Sequence, residues 1–401
     1  MLSIPGKVKR PPARNDGKRM ILRGKNLADG QQIDVRCENG LIAHVGPPTA
    51  KSPDHESEWL APALFDLQIN GAVGIAFSDP SLHMAGIQEV AKQCASHGIG
   101  GICPTLITNS RETLVHGFAT LAKACETDSW LNAFMPCYHL EGPYLSGQDG
   151  PRGAHSLEHI RNPNYHEFME FQKAAAGRIR LVTLAPELPG AMGFIEKLVR
   201  DGVRVAIGHT AASPAIIRDA VKAGATLSTH LGNGSHAMWP RHENYFFEQL
   251  SNDELTASII SDGHHLPVAL LKVILRTKPK NRLIMTSDAS SLACLPPGVY
   301  KSWGKDLEVL PGGKVVLPGT PFLAGAGVLT DACVQFLLEN RLLDFPSAIG
   351  VASSAPMNYL GLKAWKIEVG MPSNIMLVQS NASKAFKLCG TLVGERWFAP
   401  S

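Results

Sequence analysis

A (β/α)8 TIM-like barrel with a small β-sandwich domain built from both termini is the α/β fold that the sequence predicts, on three observations. Short apolar runs alternate with longer amphipathic stretches through the middle of the 401-residue chain. Both ends are instead made of short β-rich runs broken by glycine turns. Finally, polar residues interrupt the chain where several buried runs stop. These patterns assign residues 1–60 plus 355–401 to the small domain and 61–354 to the barrel.

The N-terminal part of the small domain begins at Met20, where MILRGKNLADGQQIDVRCENGLIAHVG carries DG and NG turn signals between strand-like runs. WKIEVGMPSNIMLVQSNASKAFKLCGTLVG, residues 365–394, repeats that grammar. Between them GGICPTLIT precedes RETLVHGFATLAKAC, RIRLVTLAPE precedes AMGFIEKLVRDG, and VRVAIGHT precedes SPAIIRDAVKAG. Strand followed by helix, repeated over this length, suits a closed barrel. The rival, an open doubly wound sheet, would place a glycine-rich turn at the start of a helix. The GIGG at 98–101 precedes a strand instead.

Composition excludes several classes of function. At 44% hydrophobic residues and a formal charge of +3 from nearly balanced acids and bases, the chain has a sizeable core and no basic stripe for nucleic acid. The eight cysteines stand singly, with no CxxC pair, and are expected to be reduced, half-buried thiols. The first twenty residues are basic but lack the apolar run of a secretory signal. No later segment has eighteen apolar residues in a row, so no membrane partner is expected. A cytoplasmic location fits these features best.

Four polar residues follow buried runs: Glu141 after AFMPCYHL, His209 after VRVAIG, His230 after GATLST, and Asp288 after RLIMTS. In a barrel the carboxyl ends of the strands converge on one mouth, so these side chains can meet there. One Glu and two His provide the N and O donors of an open divalent metal site with a position left for water. A metal lowers the pKa of bound water, and Asp288 is placed to shuttle the released proton. A single histidine or aspartate at a strand end is more often structural or a helix cap. Four in order on successive strands are harder to explain that way.

Taken with their order and spacing, these residues resemble the amidohydrolase superfamily and, within it, the N-acetylglucosamine-6-phosphate deacetylases. The landmarks are APALFDLQINGAVG, PTLIT at 104–108, HLEGPYL at 139–145, GHT at 208–210, THLGN at 229–233, DGHHLP at 262–267, SDA at 287–289 and LAGAGVLT at 323–330. The resemblance implies hydrolysis of an N-acetyl amino-sugar phosphate to acetate and the free amine. It implies that Glu141, His209 and His230 hold one divalent metal ion per subunit, with Zn, Fe, Co and Mn all acceptable to such ligands. Asp288 is then the general acid and base, and His155 helps polarise the acetamide carbonyl.

The same resemblance places Asn233, Gly234, Arg241 and His265 around the sugar and its 6-phosphate, with His264 as the alternative in a shifted register. In the family it resembles this arginine comes from the neighbouring subunit, so the resemblance implies a homodimer. Many superfamily members carry His-x-His on the first strand for a second metal. Here Gln68 and Asn70 stand in its place and imply a vacated site and a mononuclear centre. The chain departs from the family at HLGNGSHAM, where the pattern is HLYNAM, so the sugar pocket is expected to be reshaped. His139, two residues before Glu141, is either a partner of a ligand or an alternative ligand, and His236 receives no role.

Two other readings remain at this stage. The same chemistry on N-acetylgalactosamine 6-phosphate, an unphosphorylated N-acetyl sugar or another cyclic amide would place different demands on Arg241 and His265. A catalytically inactive scaffold would normally have lost a ligand or the aspartate, and all four are retained.

Overall fold

The computed structural model describes residues 19–319, 323–380 and 386–401. The basic stretch before residue 19 lies outside them. Eight parallel strands follow one another around a barrel: Leu64–Ile69, Ile99–Ile107, Tyr138–Glu141, Ile179–Leu184, Arg204–Ile207, Leu227–Ser228, Thr256–Ile259 and Leu283–Met285. We refer to them as the first to eighth barrel strands. The ring closes between the last and the first, where the Asp288 N–H donates to the Gln68 carbonyl at 3.0 Å and the Asn70 N–H to the Ala289 carbonyl at 2.8 Å.

Every residue of the first two strands is buried. That double burial explains why they read as continuous apolar runs and not as alternating patterns. On the outside, the helices show their apolar faces at helical spacing; Ala191–Arg200 buries Ala191, Phe194, Ile195 and Leu198. Their starts are set by local chemistry. Ser110 accepts the Thr113 N–H to begin Arg111–Thr127, and Ser213, followed by Pro214, accepts the Ile216 N–H to begin Pro214–Lys222. Inside the barrel, Phe65, Leu67, Cys103, Cys137, Leu181, Ala206, Leu227 and Ile284 form a separate apolar cluster. The helix Ser354–Tyr359 and the segment to Trp365 close that cluster from below with Met357, Leu360 and Trp365.

Both termini contribute to one seven-stranded sheet. At its N-terminal side Gln32–Glu38 and Leu41–Gly46 are joined by the NG turn, with Asn39 at φ 52° and Gly40 at φ 74°, the left-handed pair that a two-residue hairpin needs. The strand His55–Pro62 runs parallel to Met20–Asn26 and antiparallel to Ile375–Ser380, and so stitches the two ends of the chain together. Leu22, Val35, Ile42, Leu60, Ile375 and Leu377 fill its core.

After the eighth barrel strand comes an antiparallel sheet for which the sequence reading had no expectation: Gly298–Ser302, Lys305–Val309, Lys314–Val316 and Leu323–Ala326. Its last strand braces the rim of the barrel beside Asp288. The Ala326 N–H donates to the Asp288 carbonyl at 3.0 Å, and the Ser290 N–H donates to the Ala326 carbonyl at 2.8 Å. No helix among the described residues is long and apolar enough to cross a membrane. Six of the eight cysteines are fully buried and only Cys294 and Cys389 are partly exposed, so most of these thiols lie deeper than expected.

Candidate metal centre

Glu141 ends the third barrel strand, His209 and His230 stand two residues beyond the fifth and sixth, and Asp288 stands three beyond the eighth. His209, His230 and Asp288 all have left-handed backbones, with φ of 50°, 31° and 51°. Such a conformation costs a non-glycine residue on the order of 1–3 kcal/mol and persists only where the surroundings enforce it. Here it turns three side chains from the strand direction into the mouth.

The polar atoms meet closely. Glu141 Oε1 lies 3.3 Å from His209 Nε2 and 3.1 Å from His230 Nε2, and the two imidazole nitrogens are 3.1 Å apart. Ligands at about 2.0–2.1 Å from a tetrahedral ion stand roughly 3.3 Å from one another, so the spacing matches a metal's donor set. The tautomer of His209 matches as well: its Nδ1 lies 2.8 Å from the Pro151 carbonyl, which holds the proton there and leaves the Nε2 lone pair facing the cluster. His155 is also close, with Nε2 3.2 Å from His209 Nε2, and the ligand atoms of Glu141, His155 and His209 all lie within 4.8 Å of one another.

Charge in the cluster is strongly coupled. Burial would raise Glu141, but its contacts with the His209 and His230 imidazoles hold its carboxyl well below the ordinary range. Burial pushes Asp288 up to about 6, and the neighbouring Glu141 charge adds to it. A cation among the ligands would pull Asp288 back down. Burial also lowers His155 to about 3, so its imidazole is neutral and can donate one hydrogen bond. The Thr108 hydroxyl, 2.9 Å from Nδ1, fixes the ring.

Gln68 and Asn70 point into this cluster. The Gln68 side-chain amide donates to Glu141 Oε1 at 3.0 Å and to Asp288 Oδ1 at 2.9 Å, and the Asn70 amide donates to the same Asp288 oxygen at 2.8 Å. Neutral amides thus hold both carboxylates in place. No donor among the described residues reaches Asp288 Oδ2, which leaves that oxygen to carry a proton. Asn70 Oδ1 is buried without a hydrogen-bond partner among the described residues.

The structure places the remaining sequence candidates at different distances from this centre. His139 is neutral, lowered to about 4 by burial, and its Nε2 lies 2.8 Å from the Thr183 hydroxyl, so it supports the barrel interior. Gly234 is close to His209: at φ 57°, a Cβ there would come within 2.7 Å of its Nδ1. Asn233 is half-buried, and its side-chain amide donates to the His230 carbonyl at 3.2 Å. The His265 ring pairs with Asp262 at 2.7 Å; burial opposes the ionised carboxyl, but His265 outweighs it and holds Asp262 at about 2. His264 instead reaches the Gly312 carbonyl at 3.0 Å. Arg241 lies on an exposed segment beside Met238 and Trp239. His236 bridges the Tyr245 hydroxyl at 3.0 Å and Gln148 at 3.1 Å.

Several supporting groups escaped the sequence reading. Asp66 is fully buried and accepts hydrogen bonds from the Thr286, Ser287 and Thr330 hydroxyls, which locks the first strand to the segment leading into Asp288. Its position two residues before Gln68, on the same strand, was the available signal. Glu187 accepts from the Thr210 hydroxyl and the Ala211 N–H and fixes the loop after His209. The Pro151 carbonyl had no side-chain signature.

No protein-family model matches the chain. Among characterised proteins, an N-acetylglucosamine-6-phosphate deacetylase of Bos taurus is 32% identical over 350 residues, covering 84% of this chain and 83% of that one. An N-acetylgalactosamine-6-phosphate deacetylase of Escherichia coli O157:H7 is 29% identical over 344 residues, covering 86% and 89%. In three dimensions, a Mycobacterium smegmatis N-acetyl-D-glucosamine-6-phosphate deacetylase mutant in complex with N-acetyl-D-glucosamine-6-phosphate superposes with a TM-score of 0.84 at 25% identity, covering 95% of this chain and 99% of that one. With the barrel, the cluster at its mouth and this similarity over most of both chains, the protein belongs to the N-acetylglucosamine-6-phosphate deacetylases of the amidohydrolase superfamily.

Proposed function

We propose that the chain is a metal-dependent amide hydrolase that converts N-acetyl-D-glucosamine 6-phosphate to D-glucosamine 6-phosphate and acetate in amino-sugar catabolism. The observation that carries this reading is the convergence of Glu141 Oε1, His209 Nε2 and His230 Nε2 beside Asp288, whose Oδ1 is taken by Gln68 and Asn70. Glu141, His209 and His230 would hold one divalent ion, of Zn, Fe, Co or Mn, which supplies Lewis acidity toward water and the acetamide carbonyl. Asp288 Oδ2 accepts the proton of the attacking water and returns it to the amine nitrogen as the C–N bond breaks. Neutral His155, oriented by Thr108, donates to the developing oxyanion. The paired amides of Gln68 and Asn70 take the place of a second metal.

Asn233 and Gly234, beside the metal ligands, and His265, anchored by Asp262, are assigned to the sugar and its phosphate. Arg241 is assigned to the 6-phosphate of the neighbouring subunit's substrate. Its exposed segment, with Met238 at 89% exposure, is the kind of apolar surface a homodimer covers. The working location is cytoplasmic, where phosphorylated sugars are retained.

N-acetylgalactosamine 6-phosphate is a second substrate reading, supported by the Escherichia coli relative. An acetate-release assay with both N-acetylhexosamine 6-phosphates and their unphosphorylated forms, run with metal analysis, separates the readings. Fast turnover of the glucosamine derivative with about one ion per chain is expected. A preference for the galactosamine epimer would change the substrate, and turnover indifferent to the phosphate would overturn the roles of Arg241 and His265.

A further inference from the structure

Away from the mouth, three side chains from separate elements form a relay. His97 caps the C-terminus of the helix Met84–Ser96, and Asp331 sits in the first turn of Thr330–Glu339. Cys294 lies between them, on the connection after the eighth barrel strand. His97 Nδ1 is 2.8 Å from Asp331 Oδ2, and His97 Nε2 is 3.8 Å from Cys294 Sγ. Gln93 is also near that nitrogen, its amide 3.2 Å away. The His97 and Asp331 side chains keep 23% and 22% of their exposure, so the relay opens to solvent.

A thiol within reach of an imidazole that a carboxylate orients is the arrangement that activates cysteine nucleophiles. Burial works against charge on His97, but Asp331 and the Cys294 sulfur outweigh it and raise the imidazole to about 10. Asp331 thus favours the charged ring, and a charged ring favours the thiolate beside it. The neighbouring Cys94 does not compete: burial, reinforced by the charge of Cys294, keeps it a thiol.

We propose that Cys294 is an activated thiolate paired with His97 and Asp331, and a modification site for soft electrophiles, hydroperoxides above all. With a hydroperoxide ROOH the sulfur attacks the terminal oxygen, an S–O bond forms and the O–O bond breaks. Sulfur is oxidised by two electrons to the sulfenic acid, the peroxide is reduced, and the departing alkoxide takes the His97 proton to leave as ROH.

The protein contains its own control. Cys389 is the other partly exposed cysteine, and its neighbours are the Ser57 hydroxyl and the Lys387 carbonyl. Iodoacetamide alkylation of the metal-loaded protein, followed peptide by peptide by mass spectrometry from pH 5 to 9, tests the proposal. Cys294 should react at least about tenfold faster than Cys389 at pH 6.5, an advantage that narrows toward pH 9. Asp331→Asn should slow the Cys294 reaction at pH 6.5 about tenfold and leave that of Cys389 unchanged. Brief hydrogen peroxide treatment followed by dimedone should tag Cys294 first. Equal rates for the two cysteines at pH 6.5 in the unsubstituted protein, or a Cys294 rate that Asp331→Asn leaves unchanged, would overturn it.

Discussion

At the carboxyl end of the barrel, Glu141, His209, His230 and Asp288 crowd ionisable atoms together on a backbone that is left-handed at three of the four. Toward the amino end, Phe65, Leu67, Leu181 and Ile284 pack on Met357, Leu360 and Trp365, with no ionisable atom among them. Both ends belong to the same eight strands. The contrast separates two roles along each strand: the lower half supplies transfer free energy, and the upper half carries strained geometry and like-charge proximity that the Gln68 and Asn70 amides partly offset.

The largest effect that would test this division is at Asp288. Asp288→Asn keeps the size and lets Gln68 and Asn70 remain near, but removes the carboxylate proposed as the proton acceptor. We expect kcat to fall by roughly 10²–10⁴-fold, the range of general acid–base catalysis, with metal content unchanged by elemental analysis. Turnover within a few fold of the original would assign the proton transfer elsewhere.

The lower half should respond in the opposite way. Phe65 is fully buried and packs edge-on against Trp365, with ring centroids 6.0 Å apart. Phe65→Ala is expected to cost about 3–5 kcal/mol in urea denaturation while kcat per folded molecule stays within about twofold. A large loss of kcat at retained stability would show that the two halves are mechanically coupled.

A smaller effect lies at the border between them. Gln68→Leu keeps the approximate volume but removes donors from Glu141 and Asp288. Hydrogen bonds to charged groups contribute about 1.5–3 kcal/mol, so kcat should drop roughly 10- to 100-fold while elemental analysis still finds one ion per chain. Loss of the ion would instead make Gln68 a support for the metal and not for Asp288.

Much of this contrast was legible in the sequence because the residues at strand ends are polar interruptions of apolar runs. Glu141, His209, His230 and Asp288 stand out for that reason. The NG turn at Asn39 and Gly40 was legible because its chemistry is local. The insertion from Gly298 to Ala326 was not: its short strands, with a core of Leu307, Val309, Val315 and Ala324, look like an ordinary loop region until they pair with one another. Gln68 and Asn70 were read as what remained of a lost metal site. Their donation to Glu141 and Asp288 depends on three strands meeting, which no local pattern encodes. Asp66 stands two residues before Gln68, but its role depends on hydroxyl partners more than two hundred residues away.

The smallest of the four effects contrasts two carboxylates. Asp288 is pushed up to about 6 by burial, so its ionised form works against the fold. In the terminal sheet Asp34 is held down to about 2, chiefly by its paired hydrogen bonds from Arg23 at 2.7 and 2.9 Å, with the Thr49 and Ala50 N–H groups adding to them. A folded pKa below the unfolded one means that the unfolded chain takes up the proton first. The stabilisation from Asp34 is therefore complete above about pH 4 and is lost as pH falls toward 2. The shift corresponds to about 2 kcal/mol. Asp34→Asn should lower stability by up to that amount in urea denaturation at pH 7 and by progressively less toward pH 2, with kcat unchanged. If the gap between the two proteins were the same at both pH values, the Arg23–Asp34 contact would act through packing and neutral hydrogen bonds, and charge would stabilise neither end of the molecule.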